Sequence, residues 1–433
     1  MKILVIGSGG REHALCHTLK RTSKQPLELY CAPGSDAISE IARCVPLGAT
    51  DVSALAAFAE TEKIDLTIVG SEAPLAAGLA DEFERRGLAV AGPRAEAAQL
   101  ESSKAFAKEF MARHKIPTAR FRVAASAREA REILASGEFG GEDSPVVVKA
   151  DGLAAGKGVV VAATRREALE AIAELMEGGR VGSEAARRVV IEEALGGAEA
   201  SLLFWTDGET YALMPPARDH KRIGEGDTGA NTGGMGAITS PDVLDKATEA
   251  RVVLEIVEPT LAGLRAAGLE FRGVIFIGLM LTPAGARVLE YNVRFGDPEA
   301  QAILPRLESD LGEIFAAVAH KRLKGVAVSW SEDASACVVL AARGYPERPE
   351  TGARIEGLAG TGEAQLTPSV QIFHAGTRRA DDGAWLTAGG RVLGLTACAP
   401  TLDLALERCY EAARRIRWEG MQYRRDIGKF SKQ

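Results

Sequence analysis

The sequence predicts a multidomain protein that begins with an α/β domain built around a mainly parallel sheet. At 433 residues the chain is too long for one hydrophobic core, and roughly two to four domains are expected at this length. In the first hundred residues, short apolar runs typical of buried strands alternate with segments of helical spacing. Such alternation is typical of a parallel sheet with helices on its faces.

The predicted elements of this first domain are short and apolar. The strands are KILVIG (2–7), LELYCAP (27–33), DLTIVG (65–70) and LAVAGP (88–93), and REHALCHTLKR (11–21) is a helix. The turn GSGGREHA joins the first strand to this helix, and glycine amides at a helix N-terminus suit a phosphate. The dinucleotide fingerprint is incomplete, because Glu12 stands where its third glycine belongs. A phosphate-bearing substrate, NAD and a purely structural turn are the alternatives.

A further candidate contact lies after the third predicted strand. GSEAPL (70–75) follows that strand at the edge where ligands bind open α/β sheets. Glu72 is therefore a candidate substrate contact. The alternative is a carboxylate that stabilises the start of a helix through the helix dipole.

The overall charge excludes a general nucleic-acid-binding protein. The formal net charge is −7, whereas affinity for a phosphate backbone needs an excess of Lys and Arg over a broad surface. The six cysteines include no C-x-x-C pair, so we expect reduced thiols. The first strand is too short for a signal-peptide core, and no window approaches the roughly 18 apolar residues of a membrane span. We expect a soluble cytoplasmic protein with neither nucleic-acid nor membrane partners.

A glycine-rich turn with a lysine lies between two valine runs in VVVKADGLAAGKGVVVA (146–162). It is not a Walker P-loop, because Gly152 and Gly156 are too close, Lys157 precedes a glycine, and the chain re-enters a strand. We predict a strand–loop–strand lid whose glycines let the backbone approach a triphosphate. Lys149 stands inside the first apolar strand, where an ammonium needs an anionic partner or a route to solvent. The alternative, a solvated hairpin, does not explain Lys149.

A candidate metal site lies in GVIFIGLMLTPAGARVLEYNVRFGDPEAQ (273–301), which predicts a strand, a turn, a strand and a polar loop. Alternation places Glu290 and Asn292 on one face. Two oxygen donors at that spacing fit a magnesium ion that also holds nucleotide phosphates. Arg294 and Asp297 follow directly and bring a fixed positive charge and another carboxylate beside the proposed metal.

Two polar segments complete the candidate site. IEEALGGAEAS (191–201) predicts a strand leading into a linker, where adenine would meet backbone groups near Glu192 to Leu195 and ribose would meet Glu199. RDHKRIGEGDTGANTGGMGA (218–237) has six glycines in its last fourteen positions. This glycine density predicts an irregular loop without regular structure. Long ordered loops are usually functional, and a disordered linker is the alternative.

The order of these motifs resembles the glycinamide ribonucleotide synthetase (phosphoribosylamine–glycine ligase) family of the ATP-grasp superfamily. The resemblance rests on GSGGREHAL, SEAPL, VVVKADGLAAGKGVVV, IEEALGGAEAS, DHKRIGEGDTGANTGGMGA and EYNVRFGDPEAQ, and it continues through ACVVLAARGYP, IFHAGT and GGRVLGLTA. It implies a Rossmann-like N-terminal substrate domain (1–100), an ATP-grasp domain (101–325, with a lid at about 120–190) and a small β-rich C-terminal domain (326–433).

The resemblance also implies a reaction. ATP, glycine and 5-phosphoribosylamine would give ADP, phosphate and glycinamide ribonucleotide, the second step of purine synthesis, with Mg²⁺ or Mn²⁺ as cofactor. Glycine would first be phosphorylated to glycyl phosphate, which the ribosylamine nitrogen then attacks. The lid would exclude water from this acyl phosphate. We expect a monomer or weak dimer.

Each candidate residue takes a role from the resemblance. The metal ligands are Glu290 and Asn292, and the ATP contacts are Lys104, Lys149, Gly152, Gly156, Lys157, Glu192, Leu195 and Glu199. The substrate contacts are Gly9, Gly10, Glu72, Lys221 and Asn231, and the catalytic candidates are Arg294, Asp219, His220 and Asp297. Arg294 would act near the transferred phosphoryl group. Asp219 and Asp297 would hold either the glycine ammonium or Arg294.

Some assignments keep an alternative. His220 is either a base for the attacking amine or a structural hydrogen-bonding group, and Lys221 and Arg222 are either phosphate contacts or solvated charges. The chain departs from the family pattern at Ser35, Ser71, Ala198, Ala230 and Ala300, and none of these is a predicted metal ligand or phosphate lysine. Another ATP-grasp carboxylate–amine ligase and a catalytically inactive nucleotide sensor are the alternative functions.

Overall fold

The computed structural model describes residues 1–154, 158–179, 182, 185, 187–358 and 369–429. Across these ranges no helix is both long and apolar enough to cross a membrane. All six cysteine side chains are free thiols.

The N-terminal region folds around a parallel sheet. Its strands are β1 (Lys2–Gly7), β2 (Glu28–Pro33), β3 (Arg43–Cys44), β4 (Leu66–Val69) and β5 (Val90–Ala91), and its helices are α1 (Gly10–Thr22), α2 (Val52–Glu62), α3 (Glu72–Ala76) and α4 (Leu79–Arg85). The strand order is β3-β2-β1-β4-β5, and every pairing is parallel. The predicted Rossmann-like sheet is therefore confirmed. The last predicted strand is shorter than expected, because only two of its residues pair with β4.

A small antiparallel sheet follows, flanked by helices. Its elements are α5 (Ala95–Ser102), α6 (Lys104–Arg113), β6 (Phe121–Ala124), α7 (Ala127–Ala135), β7 (Val146–Ala150), β8 (Val159–Ala162), α8 (Arg165–Met176) and β9 (Val189–Glu193). This small sheet has the order β6-β9-β7-β8. The predicted strand–loop–strand is confirmed, since Val146 pairs with Ala162 and Lys149 with Val159. The apolar faces of α7 and α8 pack on the sheet and form a separate small core.

A large antiparallel sheet forms the rest of the central region. Its elements and their connections are β10 (Ala198–Thr206), β11 (Tyr211–Leu213), β12 (Ala217–Asp219), β13 (Arg222–Gly224), β14 (Thr228–Asn231), β15 (Gly236–Thr239), α9 (Lys246–Val252), α10 (Glu258–Ala266), β16 (Gly273–Thr282), β17 (Gly285–Asn292), α11 (Glu299–Ile303) and α12 (Leu311–Ala319). Strand β10 is buried on both faces, because Leu202 and Phe204 belong to one core cluster and Leu203 and Trp205 to another. Strand β10 pairs with β16, which in turn pairs with β17, so these buried strands support the residues of β17.

Three C-terminal strands extend the same large sheet, namely β18 (Ala334–Ala341), β19 (Gln371–His374) and β22 (Arg391–Ala399). Strands β20 (Thr377–Arg379) and β21 (Trp385–Thr387) form a separate two-stranded sheet, and helix α13 (Leu402–Arg415) packs against β18 and β22. The order of the large sheet is β17-β16-β10-β12-β15-β18-β22-β19. Strand β18 joins the strands of the central region by pairing with β15, with Gly236 opposite Val338. A continuous sheet therefore runs from the metal-candidate strand β17 into the C-terminal region.

The prediction of an irregular loop over residues 218–237 is wrong. The segment contains the end of β12, a hairpin of β13 and β14, and the start of β15. Arg222 faces Asn231 in the hairpin. The glycines that argued against regular structure instead make it possible, because Gly226, Gly229 and Gly234 have positive φ values of 67°, 79° and 109°, which other residues adopt only with strain.

Candidate active site

The side chains of Glu290 and Asn292 share one face of β17, as the alternation predicted. Residue Tyr291 between them is buried on the opposite face. Glu290 faces Gly278 of β16, and a bulge follows at Leu279, which faces Val288. A side chain at Gly278 would approach the Glu290 Cγ atom to 3.2 Å. The glycine therefore leaves room for the carboxylate to lie across the strand.

Lysines from three different segments surround the Glu290 carboxylate. Burial raises the pKa of Glu290, but the positive charges of Lys221, Lys149 and Lys104 outweigh burial and hold that pKa below its usual value. Glu290 is therefore an ionised carboxylate at neutral pH. The tertiary structure brings together a carboxylate and cations that are far apart in the chain, as a site for magnesium and phosphate requires.

Lys149 is fixed by a buried charge network. Its Nζ atom lies 2.9 Å from Glu192 Oε1 and donates to the carbonyl of Leu289 at 3.2 Å. The other oxygen of Glu192 lies 2.8 Å from Lys108 Nζ, and both of these side chains are 2% exposed. Lys108 is a residue that the sequence reasoning missed. Its position four residues after Lys104, on the same face of α6, was the available signal.

The candidate ATP contacts of the glycine-rich turn are only partly described. Lys104 Nζ donates to the carbonyl of Gly152 at 3.1 Å, and Gly152 has a φ of +147°. Gly156 and Lys157 lie outside the described residues. Leu195 lies in the short linker between β9 and β10 and is half-buried. The charges of Lys104 and Lys149 both act on Glu290 of β17.

The Arg294 guanidinium is held by groups other than the predicted ones. Its Nη2 atom donates to Glu101 Oε1 at 2.5 Å and to Asn292 Oδ1 at 3.0 Å, and its Nε atom donates to Glu72 Oε2 at 3.2 Å. The expectation that Asp219 or Asp297 holds Arg294 is not met by these contacts. Glu101 lies on α5, which packs against β17, and Glu72 begins α3, which packs against α5. Glu101 was not predicted, because nothing in its local sequence distinguishes it from a solvated helix carboxylate.

Asp297 instead pairs with a residue from the C-terminal region. Its Oδ2 atom lies 3.1 Å from Arg391 Nη2, and its Oδ1 atom accepts from Gln301 Nε2 at 2.7 Å. Burial raises the pKa of Asp297, but Arg391 and Arg11 shift it below its usual value. Arg391 also donates to the carbonyls of Gly233 and Asp297. It therefore joins the glycine-rich segment to the loop after β17.

The N-terminal glycine turn is organised by Glu12. The amide of Gly9 donates to Glu12 Oε2 at 2.7 Å, and Arg11 Nε donates to Glu12 Oε1 at 2.8 Å. The Glu12 side chain lies against Gly7, Gly9 and Gly70. It therefore occupies space that a third glycine would leave free for a dinucleotide. A phosphate at Gly9 has to compete with Glu12 for this amide. Gly10 approaches Gln301, whose Nε2 atom a side chain at Gly10 would meet at 2.8 Å.

The strand β12 and the hairpin after it place two predicted groups near Glu290. Lys221 Nζ lies 2.7 Å from Glu199 Oε2, so Glu199, predicted to meet ribose, is already ion-paired. Burial raises the pKa of Asp219 well above its usual range, and the carboxylates of Glu299 and Glu199 act in the same direction against Lys221. Asn231 ends β14 and is half-buried. The side chain of Asp219 is therefore suited to lose its proton when a cation binds beside it.

His220 is buried in the contact with the end of the chain. Its Nε2 atom accepts from the amide of Gly428 at 2.9 Å, and its Nδ1 atom lies 3.6 Å from Asp227 Oδ1. Burial and the charge of Arg424 lower the pKa of His220 to about 4. The side chain has no exposed surface. These observations favour the structural alternative for His220 over proton removal from a substrate.

Three models of known domain families match most of the chain. The phosphoribosylglycinamide synthetase N domain matches residues 1–101, its ATP-grasp (A) domain residues 102–300, and its C domain residues 335–430. The chain belongs to the phosphoribosylglycinamide synthetase family. The predicted family and its three-domain α/β architecture are thereby confirmed.

Relatives of known name agree with the family assignment. A phosphoribosylamine–glycine ligase of Chlorobaculum tepidum is 47% identical over 431 residues, which cover 99% of each chain. The crystal structure of a phosphoribosylamine–glycine ligase from Thermotoga maritima is 33% identical, with a TM-score of 0.81 over 98% of this chain and 100% of that one. The biotin carboxylase domain of the Hydrogenobacter thermophilus 2-oxoglutarate carboxylase, solved with MgADP, has a TM-score of 0.71 at 15% identity over 98% of this chain and 92% of that one. That last likeness shows the ATP-grasp fold alone.

Proposed function

We propose that this member of the phosphoribosylglycinamide synthetase family ligates glycine to 5-phosphoribosylamine. The reaction uses ATP and gives glycinamide ribonucleotide, ADP and phosphate, a step of purine biosynthesis. The full-length similarity to phosphoribosylamine–glycine ligases supports this reaction. The observation that carries it in the structure is the ionised Glu290 carboxylate among Lys104, Lys149 and Lys221. Such a cluster neutralises a polyphosphate and its metal.

The residues at β17 fit a divalent metal ion. Glu290 and Asn292 present two oxygen donors on one face, and Asn292 Oδ1 uses only one described hydrogen bond, from Arg294. No group of three or more His, Cys, Asp or Glu side chains suited to a metal occurs among the described residues. This agrees with Mg²⁺ or Mn²⁺ held jointly by a few protein oxygens, waters and nucleotide phosphates. When bound, the metal would neutralise charge on the phosphates of ATP.

The phosphates of ATP are proposed to lie between Lys104, Lys149 and β17, with the nucleoside near the linker that joins β9 to β10. The glycine carboxylate attacks the γ-phosphorus, the bond to the β-phosphate oxygen breaks, and ADP leaves. Arg294 is held rigidly enough to stabilise the charge on the transferred group without reorganising. Asp219 ionises when glycine binds, and its carboxylate pairs with the glycine ammonium group.

Glycyl phosphate is the proposed intermediate because a free carboxylate is a poor acceptor for an amine. The ribosylamine nitrogen attacks its acyl carbon, the carbon–oxygen bond to phosphate breaks, and phosphate leaves while the nitrogen releases one proton to the departing phosphate or to solvent. Residues from the N-terminal turn and Glu72 are proposed to hold the ribosylamine, since Glu72 reaches Arg294. This contact brings the N-terminal region within hydrogen-bonding distance of the transfer site.

The test measures ADP release from ATP and Mg²⁺ with glycine and freshly generated ribosylamine, supplied singly and together. We expect ADP only when both are present. Glu290→Gln should lower kcat by about 100-fold or more, the size expected when one preorganised charge at a phosphoryl transfer site is lost. Exposed Glu209→Gln is the matched control. ADP release that needs neither acceptor, or an unaffected Glu290→Gln enzyme, would contradict the proposal.

A second readout separates metal binding from turnover. Binding of Mn²⁺ in the presence of ADP is followed by electron paramagnetic resonance, and Glu290→Gln should weaken it. An unchanged Mn²⁺ affinity would place the metal elsewhere even if turnover were lost.

A further inference from the structure

The hairpin formed by β13 and β14 is an exposed element that needs an external restraint. Residues 225–230 are exposed, and the hairpin is rich in glycine, which loses more conformational freedom on ordering than any other residue. A two-stranded hairpin is also marginally stable by itself in water. Yet its first strand directly follows Lys221, which pairs with Glu199 in the candidate active site, and its second strand ends at the predicted substrate contact Asn231. Something must hold this hairpin in place.

The end of the chain supplies that restraint. The amide of Gly226 donates to Asp426 Oδ2 at 2.8 Å, and the amide of Arg425 donates to Glu225 Oε1 at 3.2 Å. Each of these hydrogen bonds joins residues that are 200 positions apart in the chain. At the base of the hairpin, the amide of Gly428 reaches His220. Both the tip and the base are therefore held by residues 424–428.

Arg424 is the centre of these contacts. Its Nε and Nη2 atoms donate to the two oxygens of Asp426 at 2.8 and 2.7 Å, while Nη1 donates to Asp227 Oδ1 at 2.7 Å and to the carbonyl of Arg222 at 3.1 Å. The side chain is 1% exposed. A planar guanidinium with several fixed donors can make all of these bonds at once, which an ammonium group cannot. Its buried position and full set of partners are not those of a solvated surface arginine.

The hairpin transmits this restraint to the active site. The carbonyl of Lys221 accepts from both the amide and the hydroxyl of Thr232 at 2.8 Å, so the base of the hairpin is closed around Lys221. That lysine pairs with Glu199 and acts on the charge of Glu290. A hairpin that moves would therefore carry Lys221 with it.

We propose that Arg424 is a positioning residue for the active site. It locks the hairpin of residues 222–231 to the C-terminal segment and so fixes Lys221 and Asn231 where the substrates bind. This inference rests on the proposed ligase function for its kinetic consequence. Its structural consequence, the locked hairpin, can be measured without turnover.

The test compares the full-length wild type with Arg424→Met, Arg424→Lys and the control Lys429→Gln, whose side chain is exposed beside the segment. Hydrogen–deuterium exchange of the peptide that contains residues 222–231 is measured together with ADP-forming activity. We expect Arg424→Met to speed exchange in this peptide at least tenfold and to lower kcat/KM at least tenfold. Arg424→Lys should restore part of both, and Lys429→Gln should match wild type.

Asp227→Asn keeps the test decisive if Arg424→Met fails to fold. The Asp227 side chain is 42% exposed, so its replacement leaves the core intact. It should speed hairpin exchange and lower kcat/KM about threefold, in the same direction as Arg424→Met. Unchanged exchange in the hairpin, or faster exchange with unchanged kcat/KM, overturns the proposal. Absence of turnover in the wild type would contradict the ligase function instead, whereas the exchange measurement would still test the lock.

Discussion

Arg294 shows how a single residue obtains a fixed charge in this protein. Its side chain is 15% exposed and its guanidinium lies between the carboxylates of Glu72 and Glu101, which hold it in place. Glu101 also accepts from the amide of Val293 at 2.8 Å. One carboxylate therefore fixes both the side chain of Arg294 and the backbone just before it.

Glu101→Gln should lower kcat while leaving the fold intact. Glutamine keeps the shape of the side chain and can still accept from Val293, but it removes a charge-assisted hydrogen bond worth about 1.5–3 kcal/mol. If that energy is felt in the transition state, kcat/KM falls about 10- to 100-fold. Steady-state kinetics and urea unfolding measure the two effects. Glu96→Gln, exposed on the same helix, is the control, and equal effects of the two substitutions would contradict this role.

The linker between β9 and β10 is the element that joins the small sheet to the large one. It contains two adjacent glycines with opposite surroundings. A side chain at Gly197, which has a φ of +149°, would overlap the carbonyl oxygen of Leu281, whereas one at Gly196 would meet nothing within 4 Å. Leu281 cannot move away easily, because it pairs with Ala198 at the start of β10. The main chain of the linker can therefore follow this path only with a glycine at position 197.

Gly197→Ala should destabilise the protein and Gly196→Ala should not. The first substitution combines backbone strain with a clash against main chain, for which we expect a loss of about 2–4 kcal/mol in the free energy of unfolding. The second should stay within about 0.5 kcal/mol of wild type. Urea unfolding followed by circular dichroism measures both. Similar stabilities for the two variants would show that the linker tolerates a side chain at either position.

At the scale of the whole molecule, the N-terminal and C-terminal regions meet through a buried histidine pair. His13 on α1 accepts at Nδ1 from the amide of His374 on β19 at 3.0 Å. Burial and the neighbouring His374 lower the pKa of His13 to about 3, and burial and Arg379 lower the pKa of His374 to about 4. Both rings are therefore neutral in the folded protein at pH 5, whereas unfolded histidines titrate near pH 6.5.

Acid should therefore weaken the folded state before most carboxylates titrate. The stability that each neutral histidine contributes is complete above pH 6.5 and is lost as the pH falls towards its folded pKa, at up to about 1.4 kcal/mol per pH unit. His13→Asn keeps an acceptor for the amide of His374 and should reduce this slope between pH 6.5 and 5. Denaturant unfolding at a series of pH values measures it. The exposed His320→Asn is the control, and an unaltered slope in His13→Asn would contradict the prediction.

Local patterns in the sequence were sufficient for the elements whose pairing lies close in the chain. The run of residues 146–162 formed the predicted hairpin, and the alternation around Tyr291 placed Glu290 and Asn292 on one face. These features depend on the alternation of side chains along a strand and on the residues that form a turn, and both are determined by neighbouring residues. The glycine-rich segment was misjudged, because counting glycines cannot show whether a distant segment stabilises a hairpin.

The sequence by itself determined the family, the parallel N-terminal sheet and the candidate ligands of β17. The tertiary structure alone decided which distant groups complete each site: Glu101 for Arg294, Lys108 for Glu192, Arg391 for Asp297 and Arg424 for the hairpin. The physical reason is that a buried charge needs a partner within a few ångströms in space. Folding brings that partner from any position in the chain, so local sequence does not identify the pair, even where helical spacing marks one member of it, as for Lys108.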